Sequence, residues 1–231
     1  MCFQQIRQWL CKKLHCLPSH LVLPTPEKEK YWNNKYPKAV VMYKGRYIPN
    51  YGMYSVDVRS FLVNRHIDEL ERIAGKWRGL PHDEAALKCL RWVMEHIEYI
   101  SDKKAYGLPE YWCYPMEVLH TGGGDCDDGA ILLANLMEVA GIPYWKIRLT
   151  AGMVPEGGHA YVTYYYEEGD RWVVLDWCYY PSLKPVKERP DYKDSKIYRE
   201  VWFSWNRKYA FYKRSTRAGN GLKELKCEVW T

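Results

Sequence analysis

Gly122-Gly123-Gly124-Asp125-Cys126-Asp127-Asp128-Gly129-Ala130-Ile131-Leu132-Leu133-Ala134-Asn135-Leu136-Met137-Glu138-Val139-Ala140-Gly141 joins a glycine run to the most apolar helix candidate in the chain. Between Ala130 and Ala140 only Asn135 and Glu138 are polar. A helix apolar nearly all round belongs at the centre of a fold. Asp125 is a good N-cap, and Gly141 and Pro143 supply the stop. Cys126 therefore falls in the first turn, where unpaired N–H groups and the positive end of the helix dipole favour a thiolate. Asp127 and Asp128 oppose that effect, so a cationic partner is needed.

On the N-terminal side, Ala86, Leu90, Val93, Ile97 and Ile100 recur at helical spacing after the Gly79-Leu80-Pro81 break. A further helix is expected within Val56 to Ala74 and a short one around Met116 to Leu119. On the C-terminal side the period changes to two. Trp145, Ile147 and Leu149 alternate with Lys146 and Arg148, and the segments His159 to Tyr166 and Arg171 to Cys178 flank a turn at Glu168-Gly169. Pro181 to Lys196 reads as a loop, and Glu200 to Trp205 and Tyr209 to Lys213 as late strands. Helices first, then one central helix, then consecutive strands predict an α+β fold with an antiparallel sheet.

The chain has 231 residues, 47% of them hydrophobic and 16% aromatic, enough to bury one sizeable core. Residues 1–37 read as a basic amphipathic helix, with Phe3, Ile6, Trp9, Leu10, Leu14 and Leu17 on one face, followed by a Pro- and Lys-rich linker. Residues 38–231 form the main domain. No apolar run approaches the roughly 20 residues of a membrane span, so no membrane partner is expected. The net charge of +6 is spread along the chain, which argues against nucleic acid. The eight cysteines show no CxxC pair, regular spacing or preceding secretory signal, and are expected to be mostly reduced thiols in a cytoplasmic protein. Cys11, His15, Cys16 and His20 match no zinc pattern, and Asp125, Asp127 and Asp128 lack the spaced oxygen ligands of an EF-hand. No metal or organic cofactor is expected.

His159, after Gly157-Gly158 at the start of a strand, is the candidate base for Cys126. Asp176, at the end of Val173-Val174-Leu175, is an acid on an apolar strand that needs a partner if buried. With the hairpin loop centred between Glu168 and Gly169, Tyr161 lies opposite Asp176 and His159 opposite Cys178. His159 and Asp176 are then diagonal neighbours on one face, roughly 7–8 Å apart at the backbone. A slip of one residue would separate them.

The Gly-Asp-Cys-Asp-Asp helix opening, the His159-Ala160-Tyr161-Val162 strand and the Leu175-Asp176 strand resemble, in that order, the transglutaminase-like and bacterial transglutaminase-like cysteine peptidase families, over Ala85 to Cys178. The resemblance implies a papain-like fold, a Cys126, His159, Asp176 triad and thiol-dependent acyl transfer or hydrolysis on amide bonds of a protein or peptide substrate. A protein-crosslinking transglutaminase and a non-catalytic peptide-binding or structural module are the alternatives. Two positions depart from the family pattern. Cys113 stands where similar sequences often carry Gln, which leaves the Cys126 N–H and the Trp112 indole as expected oxyanion donors, and Trp177 stands where Pro is common. Cys89 and Cys178 read as packing residues, and the oligomeric state is not set by these patterns.

Overall fold

A computed structural model describes residues 30, 38–48, 50–63, 67–198, 200–212 and 226–229. The N-terminal helix and linker expected over residues 1–37 lie almost wholly outside them. Ten strands are described: β1 (Lys38–Ile48), β2 (Gly52–Asp57), β3 (Glu98–Tyr99), β4 (Gly123–Gly124), β5 (Ile147–Val154), β6 (Gly157–Tyr166), β7 (Arg171–Leu175), β8 (Glu200–Trp205), β9 (Ala210–Tyr212) and β10 (Lys226–Val229). The α-helices are α1 (Asp68–Ala74), α2 (His82–His96), α3 (Asp102–Tyr106), α4 (Pro115–Thr121) and α5 (Cys126–Val139). The main sheet runs β10-β1-β9-β8-β5-β6-β7, with β2 paired to β1. Its pairs are antiparallel except β1 with β10.

The α+β expectation holds, and α5 is its centre. Every α5 residue from Asp127 to Val139 is buried. The helix lies on β5 and β6, with α1, α2 and α4 packed around it. Ile147, Leu149, Val162, Tyr164 and Leu175 share its core. Asn135 and Glu138 are both bonded: Asn135 Nδ2 donates to Phe61 O (3.0 Å) and Ile131 O (2.8 Å), Asn135 Oδ1 accepts from Val63 N (3.0 Å), and Glu138 Oε2 accepts from Arg207 Nε (2.7 Å). Those bonds offset much of the desolvation penalty that two polar groups would impose on a helix this deep.

The stretch Val56 to Ala74 departs from the expected single helix. Val56 and Asp57 end β2, Val58–Phe61 is a 3-10 turn capped by Asp57, and among the described residues of this stretch only Asp68–Ala74 is α-helical. Burial of Val58 and Phe61 against Tyr43 and Trp112 fixes that shape, which helical spacing alone does not foresee. The long β1–β2 hairpin was not anticipated either. No described helix is long and apolar enough to cross a membrane.

Candidate active site

Two local features present Cys126. Gly122 closes α4 with φ 68°, a left-handed conformation natural to glycine. Gly123 and Gly124 then pair with Glu98 and Tyr99 as a short parallel ladder that delivers the chain to the start of α5. Asp125 and Asp128 form the reciprocal pair of a capping box, as expected for helix capping. Asp128 also accepts the Cys113 N–H through Oδ1 at 2.7 Å and so ties the preceding loop to the helix start.

His159 and Asp176 come from β6 and the residue after β7. The observed register, Val162 opposite Leu175 and Tyr166 opposite Arg171, is the one expected from a turn centred at Glu168-Gly169. It places His159 Nε2 2.7 Å from Asp176 Oδ2, with both side chains buried. Asp176 is held on its other oxygen by the main-chain N–H groups of Cys178 (3.1 Å) and Tyr179 (3.2 Å). With Nε2 turned to the carboxylate, Nδ1 is the ring nitrogen left for another partner. Cys126 lies within electrostatic reach of this pair: the Ala160 main-chain N–H favours its thiolate and the Asp176 charge opposes it.

The electrostatics of the thiol run against the helix-start expectation. Burial pushes the Cys126 thiol above its ordinary value, and Asp125 adds to the effect; the Ala160 N–H pulls it down by less. The dipole alone therefore does not supply a thiolate, and a base must take the proton. The acids behind Cys126 are also raised. Burial, reinforced by mutual repulsion, lifts Asp102 to about 7, Asp125 to about 6 and Asp128 to about 7, and moves Asp127 well up. The ligand oxygens of Asp102, Asp125 and Asp128 lie within 4.8 Å of one another, a donor set of the kind hard cations take.

Trp112 and Cys113 do not fit the oxyanion role expected of them. The Trp112 ring is stacked on Tyr43 (4.7 Å between centroids) and Trp205 (5.4 Å), and its indole N–H is committed to Glu110 Oε1 at 2.6 Å. Cys113 is fully buried, its sulfur 3.0 Å from the Tyr106 hydroxyl. Both serve the core, where Tyr43 of β1 covers the Trp112 ring. Trp145 packs with Tyr165 and Trp172 in a separate cluster.

Trp177, which stands where Pro is common in the family, packs on the cysteine helix. Its indole N–H donates to the Cys126 carbonyl at 3.2 Å, and its ring occupies the space that a side chain at residue 129 would need. Gly129 thus lets the residue after Asp176 lie directly on the first turn of the cysteine helix. Tyr99, 56% exposed, has its ring 6.1 Å from that of Trp177. Tyr198, unremarkable in the sequence, donates its hydroxyl to Asp176 Oδ2 at 2.7 Å. No spacing rule marks it, since a loop carries it back to the site.

Residues 72–177 match the family model of the transglutaminase-like superfamily, a span that includes Cys126, His159 and Asp176. Among solved structures, calcium-bound LapG of Legionella pneumophila is 20% identical, with 68% of this chain and 82% of that chain covered and a TM-score of 0.50. The EGTA-treated form of that protein is also 20% identical, over 65% of this chain and 77% of that chain, again with a TM-score of 0.50. At such identity the likeness is one of fold. A search of curated proteins finds no match. With its buried cysteine helix on an antiparallel sheet, the chain has the papain-like α+β fold, and its residues 72–177 are similar to the transglutaminase-like superfamily.

Proposed function

We propose that this protein is a thiol-dependent enzyme that cleaves amide bonds of a protein or peptide substrate through Cys126, His159 and Asp176. The observation that carries the reading is the buried 2.7 Å His159–Asp176 hydrogen bond, whose acid lies within electrostatic reach of a cysteine at a helix start. His159 Nδ1 takes the thiol proton as the sulfur attacks the carbonyl carbon. Negative charge developing on the carbonyl oxygen faces the N-terminal amides of α5, the Cys126 N–H among them. The intermediate collapses to a thioester, and the departing amine leaves with the proton held by His159. Water, deprotonated by His159, then releases the carboxylate and restores the thiol. Asp176 keeps the imidazole in the one tautomer this cycle needs. The free thiols at Cys89, Cys113, Cys126 and Cys178 suit a reducing, cytoplasmic setting.

Hydrolysis is favoured over transfer to a lysine amine. Transamidation requires a site that excludes water, and aromatic walls are the usual means. Of Trp112, Trp145 and Trp177, only Trp177 borders Cys126.

The test is incubation with a glutamine-containing protein and a labelled primary amine, with ammonia and new amino termini measured together. New termini or ammonia without label, lost in Cys126→Ala and reduced on the order of 10²–10⁴-fold in His159→Ala, are expected. Label incorporated in step with ammonia and without new termini would overturn hydrolysis. Products that survive Cys126→Ala would overturn the thiol mechanism.

A further inference from the structure

The triad acid has a second side-chain partner. Asp176 Oδ2 accepts from His159 Nε2 and from the Tyr198 hydroxyl, each at 2.7 Å. Burial and the nearby Asp176 charge keep the Tyr198 phenol protonated, so the direction of that bond is fixed: the phenol donates and the carboxylate accepts. Tyr198 has buried support of its own. Its ring packs on Tyr161 at 4.6 Å, and both belong to a small core cluster with Val154.

The loop between Asp176 and Tyr198 is built to return the phenol to this point. Arg189, itself buried, donates from Nη1 to Val174 O at 2.8 Å, from Nε to Lys184 O at 3.1 Å and from Nη2 to Ser182 O, closing the loop onto β7. Ser195 Oγ then accepts the Ile197 N–H (3.1 Å) and the Tyr198 N–H (3.2 Å), a tight turn that sets the direction of the Tyr198 side chain. Ordering that much backbone costs conformational entropy, and here its end is a single hydroxyl on the catalytic acid.

We infer that Tyr198 is a positioning residue of the active site, fixing the Asp176 carboxylate so that Oδ2 stays on His159 Nε2. Two main-chain N–H groups hold Oδ1. They leave the carboxylate free to tilt about that edge, and the phenol prevents it. Without the phenol, Oδ2 loses one of its two donors, the imidazole gains freedom to rotate, and Nδ1 spends less time aimed at the thiol. The inference rests on the thiol mechanism proposed above.

It is tested without a substrate, on the full chain, by the rate at which iodoacetamide alkylates Cys126 at neutral pH, mapped by peptide mass. In parallel, the His159 Nε2–H proton is followed by NMR in histidine-labelled protein. Tyr198→Phe keeps the ring and removes the hydroxyl. The expected result is a roughly tenfold slower alkylation, as for loss of one hydrogen bond to a charged group, with the His159 proton shifted and exchanging faster while the fold is retained. Should Tyr198→Phe fail to fold, Ser195→Ala, which keeps the phenol and loosens its turn, is expected to give the same changes to a smaller degree. Alkylation within twofold of wild type with an unmoved His159 proton, in whichever variant folds, would overturn the role of Tyr198. If His159→Ala leaves Cys126 alkylation unchanged, it is the triad reading that fails, a result distinct from failure of the Tyr198 role.

Discussion

Replacing Gly129 with alanine tests how the cysteine helix and the acid-bearing strand are joined. A Cβ at this position would stand 2.1 Å from Trp177 Cε2, 2.3 Å from Nε1 and 2.6 Å from Cζ2. Those atoms belong to a rigid, buried indole, so the ring must move as a body and release its 3.2 Å bond to the Cys126 carbonyl. Overpacking costs about 1–3 kcal/mol and the lost hydrogen bond about 0.5–1.5 kcal/mol. Replacing glycine inside a helix recovers about 1 kcal/mol. The net loss is about 2 kcal/mol, a fall in Tm of roughly 4–8 °C for a domain of this size. The assay is thermal unfolding followed by circular dichroism, with tryptophan fluorescence to report the ring. Trp177→Leu supplies the second arm of a double-mutant cycle, because in that background the added methyl meets no indole. Gly129→Ala is then expected to cost little or to stabilise. Gly129→Ala that raises the Tm of the wild-type background would refute the reasoning.

Two further outcomes follow from the same structure. Because burial raises Asp102, Asp125, Asp127 and Asp128 above the ordinary carboxylate value of 3.8, the folded chain holds more protons than the unfolded one between about pH 4 and 7. Their contribution to stability therefore falls as pH rises through that window, and urea midpoints measured from pH 5 to 7.5 should decline less steeply in Asp127→Asn than in wild type; an unchanged slope would count against it. Arg189→Ala removes three bonds to main-chain carbonyls and should cost about 3 kcal/mol at about 1 kcal/mol each, read as early proteolytic cleavage between Tyr179 and Lys196; cleavage resistance equal to wild type would contradict the anchoring role.

Local patterns were a reliable guide wherever burial repeats with the period of the element. The apolar run after Cys126 is α5, and the expected end at Ala140 differs from Val139 by one residue. The alternation from Ile147 to Leu175 is β5 to β7, and the turn at Glu168-Gly169 carried enough information to set the register. That register is what brings His159 and Asp176 together, since a two-residue side-chain period makes a shift of one residue an exchange of faces. The patterns were a poor guide at Trp112 and Cys113. An aromatic residue near a motif looks the same whether it lines a cleft or fills a core, and the β1–β2 hairpin, which makes the difference for Trp112, is far from it in sequence.

Sequence by itself therefore determined the central helix, the strand order of β5 to β7 and the pairing of an imidazole with an acid, because each depends on contacts between near neighbours or on a short hairpin. Tertiary structure alone decided what surrounds them. Gly129 is a vacancy shaped for Trp177, Trp112 is a core stack rather than a site wall, the Cys126 thiol is raised by burial among acids, and Tyr198 reaches Asp176 from the far end of a loop. Each of those facts depends on which distant segments are packed against one another and how much water they exclude, and neither quantity is written in the spacing of residues along the chain.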